Sequence, residues 1–331
     1  MLDLAIIIVN FNTCEYLHSC LTSVYASRGD FAFAVCVVDN ASADASVDMV
    51  KAEFPQVRLI ESPINGGYAY ANNLGLRACG FDQEPPSGTT SRGQIPAQKS
   101  SASSPAPPSE SEAPRYALLL NPDTVLPPDG LDMMLDFMDE NHQAGAAGPK
   151  LVLEDGTLDL ACRRSFPTPA VSFYRVTGLS RLFPRHHLFG QYNLTYCDPE
   201  QTMEVDSVVG AFMLVRREAI EQVGLLDEDF FMYGEDLDWA YRMVQVGWKT
   251  YYHPGVTVRH VKRAASRHSP RAQQEFYRAM HTFFNKHYAS TTPWWVHWLV
   301  LAGINLRAGV LHVQLKLAPD GKRHIFRSIE S

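Results

Sequence analysis

Short runs of aliphatic residues alternate with helix-like segments along the first 80 residues of the chain. Residues 4–9 and 35–38 are continuous aliphatic runs, which is the pattern of parallel strands that are buried on both faces. Between them, Leu17, Leu21 and Val24 recur at helical spacing. This alternation predicts an α/β fold in which helices flank a mostly parallel sheet.

The same alternation resumes later in the chain. We predict further strands at residues 57–60, 116–120, 146–153, 208–215 and 249–260, and helices at 42–54, 68–79, 131–141, 217–223, 235–246 and 270–288. Residues 82–114 are rich in Pro, Ser, Gly and Gln and poor in apolar side chains, which predicts a disordered insertion. Residues 163–204 show poor periodicity, which suits a substrate-covering loop or an irregular surface.

Charge is distributed unevenly along the 331 residues. The net charge is −7, yet residues 241–331 contain 14 Lys and Arg against 3 Asp and Glu. An acidic body argues against a nucleic-acid partner, whereas the basic end suits an anionic bilayer or a phosphorylated acceptor. Polar residues interrupt the apolar segment 294–315, which carries three tryptophans. We therefore expect residues 290–331 to contact a membrane surface without crossing it; packing against the protein's own core is the alternative.

The cysteine pattern and the first ten residues indicate which cellular compartment to expect for this protein. The six cysteines contain no C-x-x-C pair, which fits neither a zinc site nor a dense disulfide framework. The first ten residues contain an acid and lack a basic stretch, so they predict a strand and not a signal peptide. We expect a cytoplasmic protein at the inner face of the cell membrane.

Polar clusters stand where four of the predicted elements begin or end. They read V-N-F-N from Val9, V-D-N-A-S from Val38, N-P-D from Asn121 and G-E-D-L-D from Gly234. An acid after a strand often only caps a helix or forms a turn. Recurrence at one edge of a sheet, however, is how loops of α/β proteins converge on a ligand.

Together with N-G-G-Y-A-Y-A-N-N-L-G from Asn65 and F-M-Y-G-E-D-L-D-W-A-Y-R from Phe231, these motifs resemble glycosyltransferase family 2, near its rhamnosyltransferase-like members. The resemblance covers about residues 3–265. It implies a GT-A domain over residues 1–265, with a nucleotide-binding sheet, and leaves residues 266–331 as a basic helical C-terminal extension. It also implies transfer of a sugar from a nucleotide diphosphate sugar to an acceptor hydroxyl, with inversion.

The resemblance assigns roles to individual residues. The donor-binding set is Val9, Asn10, Asp39, Asn65, Gly66, Asn72 and Asn121. Asn121-Pro122-Asp123 replaces the family's D-x-D motif, so Asp123 is the main ligand expected for Mg²⁺ or Mn²⁺. His260 matches a histidine that joins the metal in some relatives.

The family match makes Asp236 the general base that deprotonates the acceptor hydroxyl, and Glu235 the residue that orients the acceptor or a sugar hydroxyl. Asp238 and Arg242 have the spacing of an ion pair on a helix surface. The donor is expected to be dTDP-rhamnose or a UDP-sugar, and the acceptor a growing, lipid-linked cell-surface glycan.

Other functions remain open at this level. A nicotinamide or flavin enzyme would carry G-x-G-x-x-G after the first strand, where Asn10-Phe11-Asn12 stands instead. A nucleotidyltransferase would carry a glycine-rich and basic triphosphate loop at that position. The third alternative is a degenerate sugar-nucleotide-binding protein without turnover, for which Asn121 is the only hint.

Overall fold

The computed structural model of the chain describes residues 2–81, 113–261 and 270–317. The predicted insertion at 82–114 therefore lies outside the described residues except for its last two positions, and residues 318–331 of the predicted membrane segment lie outside them as well. The strands and helices in chain order are β1 Leu4–Asn10, α1 Cys14–Tyr25, β2 Phe33–Asp39, α2 Ser46–Glu53, β3 Arg58–Glu61, α3 Tyr68–Ala78, β4 Tyr116–Leu120, β5 Thr124–Val125, α4 Gly130–Glu140, β6 Ala144–Val152, α5 Pro169–Val176, α6 Leu179–Leu182, β7 Met203–Val205, β8 Phe212–Arg216, α7 Arg217–Val223, α8 Glu235–Gln245, β9 Lys249–His260, α9 Pro270–His287 and α10 Trp294–Leu317.

The strands form one sheet in the order β3-β2-β1-β4-β8-β6-β9-β5, and β7 pairs with β9. Strands β3, β2, β1 and β4 are parallel, and Asn10 at the end of β1 lies directly opposite Asp39 at the end of β2. Five consecutive side chains of β1 are fully buried, because helices cover both faces of the sheet. The α/β fold predicted from the aliphatic runs is thereby confirmed.

Strand β8 runs antiparallel to both of its neighbours, so the sheet is mixed and parallel pairing dominates only its N-terminal half. The predicted strand 208–215 begins only at Phe212, which pairs with Leu120 at the carboxyl end of β4. The antiparallel direction therefore brings the loop before β8, which contains Gly210, to the edge where the parallel strands end. Residues 163–204, predicted as a substrate-covering loop or an irregular surface, contain the short helices α5 and α6 and the first two residues of strand β7.

The two C-terminal helices pack on the rest of the molecule. Helix α10 contacts both α9 and α5. None of the helices within residues 2–81, 113–261 and 270–317 combines the length and the hydropathy that a bilayer crossing requires.

Asp238 on α8 forms the predicted ion pair with Arg242, but its carboxylate is fully buried, so the expectation of a pair on the helix surface is wrong. Arg242, Lys286 and His287 contact it at 2.8, 2.8 and 2.7 Å. Burial raises the pKa of Asp238, but these three neighbours outweigh it and hold the pKa well below its usual range. The burial follows from the packing of α9, which carries Lys286 and His287, against α8.

Asp238→Ala should lower the free energy of unfolding by about 3 kcal/mol, because it leaves three cationic or polar groups without their buried partner. Urea denaturation followed by tryptophan fluorescence, to which the buried Trp239 contributes, measures the change. Glu61→Ala is the matched control: it breaks an ion pair with Lys51 whose side chains are more than half exposed, and should cost under about 1 kcal/mol. Equal effects of the two substitutions would contradict the anchoring role of Asp238.

Candidate active site

The carboxyl ends of β1 and β2 form the first part of the site. The Asn10 amide donates hydrogen bonds to Asp39 Oδ1 at 2.8 Å and to Ser42 Oγ at 3.1 Å. Asp39 Oδ2 accepts from the backbone N–H of Ser42 at 2.9 Å. Val9, Asn10 and Asp39 are all buried. The structure therefore brings these three predicted donor-binding residues together and holds the Asp39 carboxylate in one orientation.

The loop before α3 lies beside the end of β2. Asn40 holds this loop, since its amide donates to Asn65 Oδ1 at 2.9 Å and its oxygen accepts from the Gly66 N–H at 3.1 Å. Gly67 has φ +93°, and a Cβ there would lie 2.4 Å from the Phe231 carbonyl oxygen. Close approach of this turn to the loop before α8 therefore requires glycine.

Asn72 and Asn121, the remaining donor-side predictions, lie differently. Asn72 is fully buried in α3, and its amide donates to the Tyr68 carbonyl at 2.9 Å. Asn121 follows β4, and its backbone N–H donates to the Ala211 carbonyl at 3.0 Å. Asn121 thus stands at the carboxyl end of β4, whereas Asn72 is buried within helix α3. The roles of both residues in donor binding stay predictions.

Asp123, directly before β5, lies beside His260 at the end of β9. His260 Nε2 lies 3.4 Å from Asp123 Oδ1, and His260 Nδ1 lies 2.9 Å from Asp159 Oδ2. Burial lowers the pKa of His260, but the two carboxylates outweigh it and raise that pKa to about 9. Asp159 is itself buried and accepts from the Ala161 N–H at 3.2 Å. The imidazole is therefore held rigidly between two acids.

This pair has the chemistry of a partial metal site. One carboxylate oxygen and one imidazole nitrogen are donors that Mn²⁺ accepts, and their 3.4 Å separation is close to the about 3 Å expected of neighbouring ligands with bonds of about 2.1 Å. Within the described ranges, no three His, Cys, Asp or Glu side chains converge on one point. Oxygens of a diphosphate and of water would have to supply the other ligands.

Asp236 lies at the start of α8. Its Oδ2 accepts from Arg164 at 2.8 Å and from the Gly210 N–H at 2.9 Å. Arg164 also donates to the Val208 carbonyl at 2.6 Å, and both charged side chains are at least nine-tenths buried. The guanidinium and the backbone N–H hold the Asp236 carboxylate in one orientation through charge-assisted hydrogen bonds.

Glu235, the preceding residue, has a contrasting environment. Its side chain is buried, and its Oε2 has no hydrogen-bond partner among the described residues. Burial, followed by the negative charge of Asp236, raises the pKa of Glu235 to about 8. Adjacent acids thus differ at neutral pH: Glu235 is mostly protonated and can donate a hydrogen bond, while Asp236 faces a cation.

Tyr68 connects the parts of the site. Its hydroxyl donates to the Gly210 carbonyl at 2.7 Å. Burial raises its pKa well above the usual value, and the charges of Glu235, Asp236 and Asp123 raise it further. The Gly210 peptide thereby joins Tyr68 to the predicted base, because its N–H donates to the Asp236 carboxylate.

The loops around the site also hold unusual backbone conformations. Four non-glycine residues in the described part of the chain have positive φ, and three of them, Asn12, Ala41 and Tyr233, stand in the loops that follow β1 and β2 and precede α8. Such conformations cost about 1–3 kcal/mol each and persist where the surrounding structure enforces them. This distribution supports the edge as the functional part of the molecule.

Four site residues are absent from the sequence-based set: Asn40, Tyr68, Asp159 and Arg164. Asn40 lies inside the V-D-N-A-S motif and Tyr68 inside the motif that begins at Asn65, so the sequence motifs already contained both residues. Asp159 and Arg164 belong to stretches without a recognisable motif. Only the tertiary structure pairs Asp159 with His260 and Arg164 with Asp236.

Comparison with known proteins identifies one sequence family and two similar solved structures. The sequence model of a family described as "Glycosyltransferase like family 2" matches residues 3–276. The N-acetylglucosaminyl-diphospho-decaprenol L-rhamnosyltransferase of Mycobacterium tuberculosis is 24% identical over 312 residues, which are 93% of this chain and 92% of the relative. A low-salt glycan biosynthesis hexosyltransferase of Haloferax volcanii is 25% identical over 241 residues, which are 72% of this chain and 61% of the relative.

Two solved structures share the fold. GalNAc-T7, crystallised with UDP, GalNAc and Mn²⁺, superposes with a TM-score of 0.52 at 13% identity, over 80% of this chain and 44% of that one. TarS of S. aureus superposes with a TM-score of 0.52 at 14% identity, over 92% of this chain and 43% of that one. This chain therefore spans less than half the length of either, and at such identities the likeness concerns the fold alone.

Glu235→Gln should flatten the pH dependence of stability. With a pKa of about 8 in the fold and about 4.5 when unfolded, the folded protein holds the Glu235 proton more tightly, so stability falls as pH rises from about 4.5 to 8. Because glutamine cannot ionise, the variant should lose less stability than the wild type over this pH range. Thermal unfolding midpoints across this range measure the difference; the exposed Glu154→Gln should behave as wild type. Parallel curves for Glu235→Gln and wild type would contradict the raised pKa.

Proposed function

This chain is a glycosyltransferase that belongs to the Glycosyltransferase like family 2, and we propose that it transfers a sugar from a nucleotide diphosphate sugar to a lipid-linked glycan with inversion. One observation carries the proposal. The pairs Asn10–Asp39, Asp123–His260 and Glu235–Asp236 lie along one edge of the sheet, where Tyr68 and Asp236 both bond to the backbone of Gly210. An α/β sheet binds its ligand at this edge.

The donor would lie across the ends of β1, β2 and β4. The Asp39 carboxylate, already oriented by Asn10, can accept a hydrogen bond from the imide N–H of uracil or thymine. Both bases present that imide, so the proposal includes dTDP-rhamnose and UDP-sugars. The relative from M. tuberculosis is named as an L-rhamnosyltransferase, which supports the first of these.

Mg²⁺ or Mn²⁺ would be held by Asp123 and His260, together with the donor diphosphate. When bound, such an ion offsets the charge that develops on the departing diphosphate. Asp159 positions His260, because its carboxylate takes the Nδ1 side of the ring and leaves Nε2 directed at Asp123. The crystallisation of GalNAc-T7 with Mn²⁺ and UDP shows one protein of this fold with such an ion.

The chemical step is a single displacement. Asp236 takes the proton of the acceptor hydroxyl, whose oxygen forms a bond to the anomeric carbon. The bond from that carbon to the diphosphate oxygen breaks on the opposite face, and its electron pair leaves with the nucleoside diphosphate. Glu235, protonated near neutral pH, donates a hydrogen bond to a sugar or acceptor hydroxyl. Arg164 positions Asp236 through the contact at 2.8 Å.

The acceptor is proposed to be lipid-linked. The M. tuberculosis relative is named for an N-acetylglucosaminyl-diphospho-decaprenol substrate, and its alignment covers 93% of this chain. Helix α10 exposes Trp294, Trp295 and Trp298, which suits contact of residues 290–331 with an anionic membrane surface at the inner face of the cell membrane. We keep residues 1–265 as the transferase domain and 266–331 as its helical extension.

Asp123→Ala should abolish metal-dependent donor binding. Thermal unfolding of the wild type with UDP, dTDP, GDP or NAD should show stabilisation by one nucleoside diphosphate only when Mn²⁺ is present, by about 3 kcal/mol at a hundred times Kd. The variant should lose this response, while Asp129→Ala, at an exposed position, should keep it. Stabilisation by NAD alone would favour a redox enzyme, and stabilisation that survives in Asp123→Ala would remove Asp123 from the metal site.

Asp236→Asn should lower kcat by about a hundred- to ten thousand-fold, because an amide cannot accept the acceptor proton. Transfer of sugar to a polyprenyl diphosphate-linked N-acetylglucosamine measures the rate, and nucleotide titration shows that the Kd for the donor stays the same. The exposed Asp229→Asn is the control. If Asp236→Asn stays active and Glu235→Gln does not, the base is Glu235; if neither loses activity, the proposed mechanism is wrong.

A further inference from the structure

Large hydrophobic side chains are exposed mainly in two short segments. Fourteen such side chains are exposed in the described part of the chain, and eight of them lie within residues 173–188 and 294–299. Their exposed fractions are Phe173 58%, Leu182 71%, Phe183 52%, Leu188 43%, Trp294 76%, Trp295 55%, Trp298 66% and Leu299 64%. Scattered exposed apolar residues are ordinary, but such a concentration marks an interaction surface.

The two segments belong to helices that pack together, although more than a hundred residues separate them in sequence. Helix α5, which carries Phe173, packs against α10, which begins with Trp294. Helix α6 packs against α5 in turn, and it ends at Leu182. We call the exposed side chains of residues 173–188 and 294–299 the apolar face.

The charge of the exposed arginines indicates what kind of partner binds the apolar face. Residues 160–197 contain five arginines, of which Arg163 and Arg164 are buried, and no aspartate or glutamate, in a chain whose net charge is negative. Arg175, Arg181 and Arg185 are exposed and alternate with the exposed apolar side chains. Exposed Trp, Phe and Leu combined with arginine suit the boundary of a bilayer that contains anionic lipids, where the rings enter the headgroup region and the guanidinium groups meet phosphates.

The position of the face relative to the site favours the same occupant. Arg164, which holds the proposed base Asp236, precedes the start of α5 by five residues, a distance of at most about 18 Å along the chain. The Thr168 hydroxyl caps α5 by accepting from the Val171 N–H at 3.3 Å, so α5 is fixed directly after this segment. A membrane on the apolar face would therefore lie within about 18 Å of chain from the residue that holds the proposed base.

We propose that α5, α6 and residues 183–188 form, together with the start of α10, a docking surface for anionic membranes. The C-terminal helix is then only half of the membrane contact, and the arginine-rich segment before β7 supplies the other half. The link between this surface and delivery of a lipid-linked acceptor rests on the proposed function. Membrane binding itself does not, because it requires neither donor nor acceptor.

The test is cosedimentation of the full-length chain with vesicles of phosphatidylcholine alone and of phosphatidylcholine mixed with phosphatidylglycerol. The wild type should bind the mixed vesicles, and Leu182→Ser/Phe183→Ser should weaken this binding about tenfold or more, because two large side chains no longer enter the bilayer. Arg181→Gln/Arg185→Gln should weaken binding to mixed vesicles, and added salt should do the same to the wild type.

Val246→Ser is the matched control, since Val246 is 51% exposed at the end of α8 and lies outside the apolar face. It should bind vesicles as the wild type does. Thermal unfolding midpoints of all variants should stay unchanged, because each altered side chain is exposed. The Mn²⁺-dependent response to nucleotide should also stay intact, so a loss of vesicle binding cannot be confused with failure of the proposed function.

Three results would overturn the proposal. The first is a wild type that binds neither kind of vesicle, which would assign the face to a protein partner. The second is binding of equal strength to neutral and mixed vesicles, which would remove the role of the arginines. The third is unchanged binding of Leu182→Ser/Phe183→Ser while Trp294→Ser/Trp298→Ser loses it, which would leave α10 as the whole membrane contact.

Discussion

Burial of polar and charged side chains at one edge of the sheet is the constraint on which this structure depends. Asn10, Asp39, Asp159 and Asp236 are all less than 5% exposed, and a buried polar group without a partner costs about 1–3 kcal/mol or more. Each has a partner remote in sequence or across a loop. Asp236, for example, is 72 residues from Arg164. Satisfying these groups fixes the loops of the site, and the same contacts orient the groups that the proposed chemistry requires.

Two neighbouring acids show how this constraint separates chemical roles. Glu235 and Asp236 begin the same helix and differ by one methylene, yet Asp236 contacts a guanidinium and a backbone N–H, whereas one oxygen of Glu235 has no hydrogen-bond partner in the part of the chain that the structure describes. Burial therefore raises the pKa of Glu235 while the proposed base remains beside a cation. On the other face of α8, the anchoring of Asp238 by α9 ties the C-terminal helices to the element that carries both acids.

Much of the fold could be predicted from local patterns, since buried parallel strands appear in a sequence as continuous aliphatic runs. Strands β1 to β4 and helices α3 and α8 lie within a few residues of their predicted positions. The patterns failed where geometry depends on distant partners. Strand β8 begins later than predicted because the residues before it turn toward Arg164 and Asp236, and the burial of Asp238 depends on a helix about 50 residues further along the chain.

The sequence by itself determined the α/β class, the family and the presence of acids at the ends of particular strands, because these depend on residue type and spacing along the chain. Only the tertiary structure decided which acid faces a cation, which carboxylate holds His260 and which helices with exposed apolar side chains pack together. The physical reason is that pKa shifts, ion pairs and surface patches arise from groups close in space, and their partners here lie tens to more than a hundred residues apart. Asp159 and the exposed residues of α6 carry no motif, so their roles became visible only once the chain was folded.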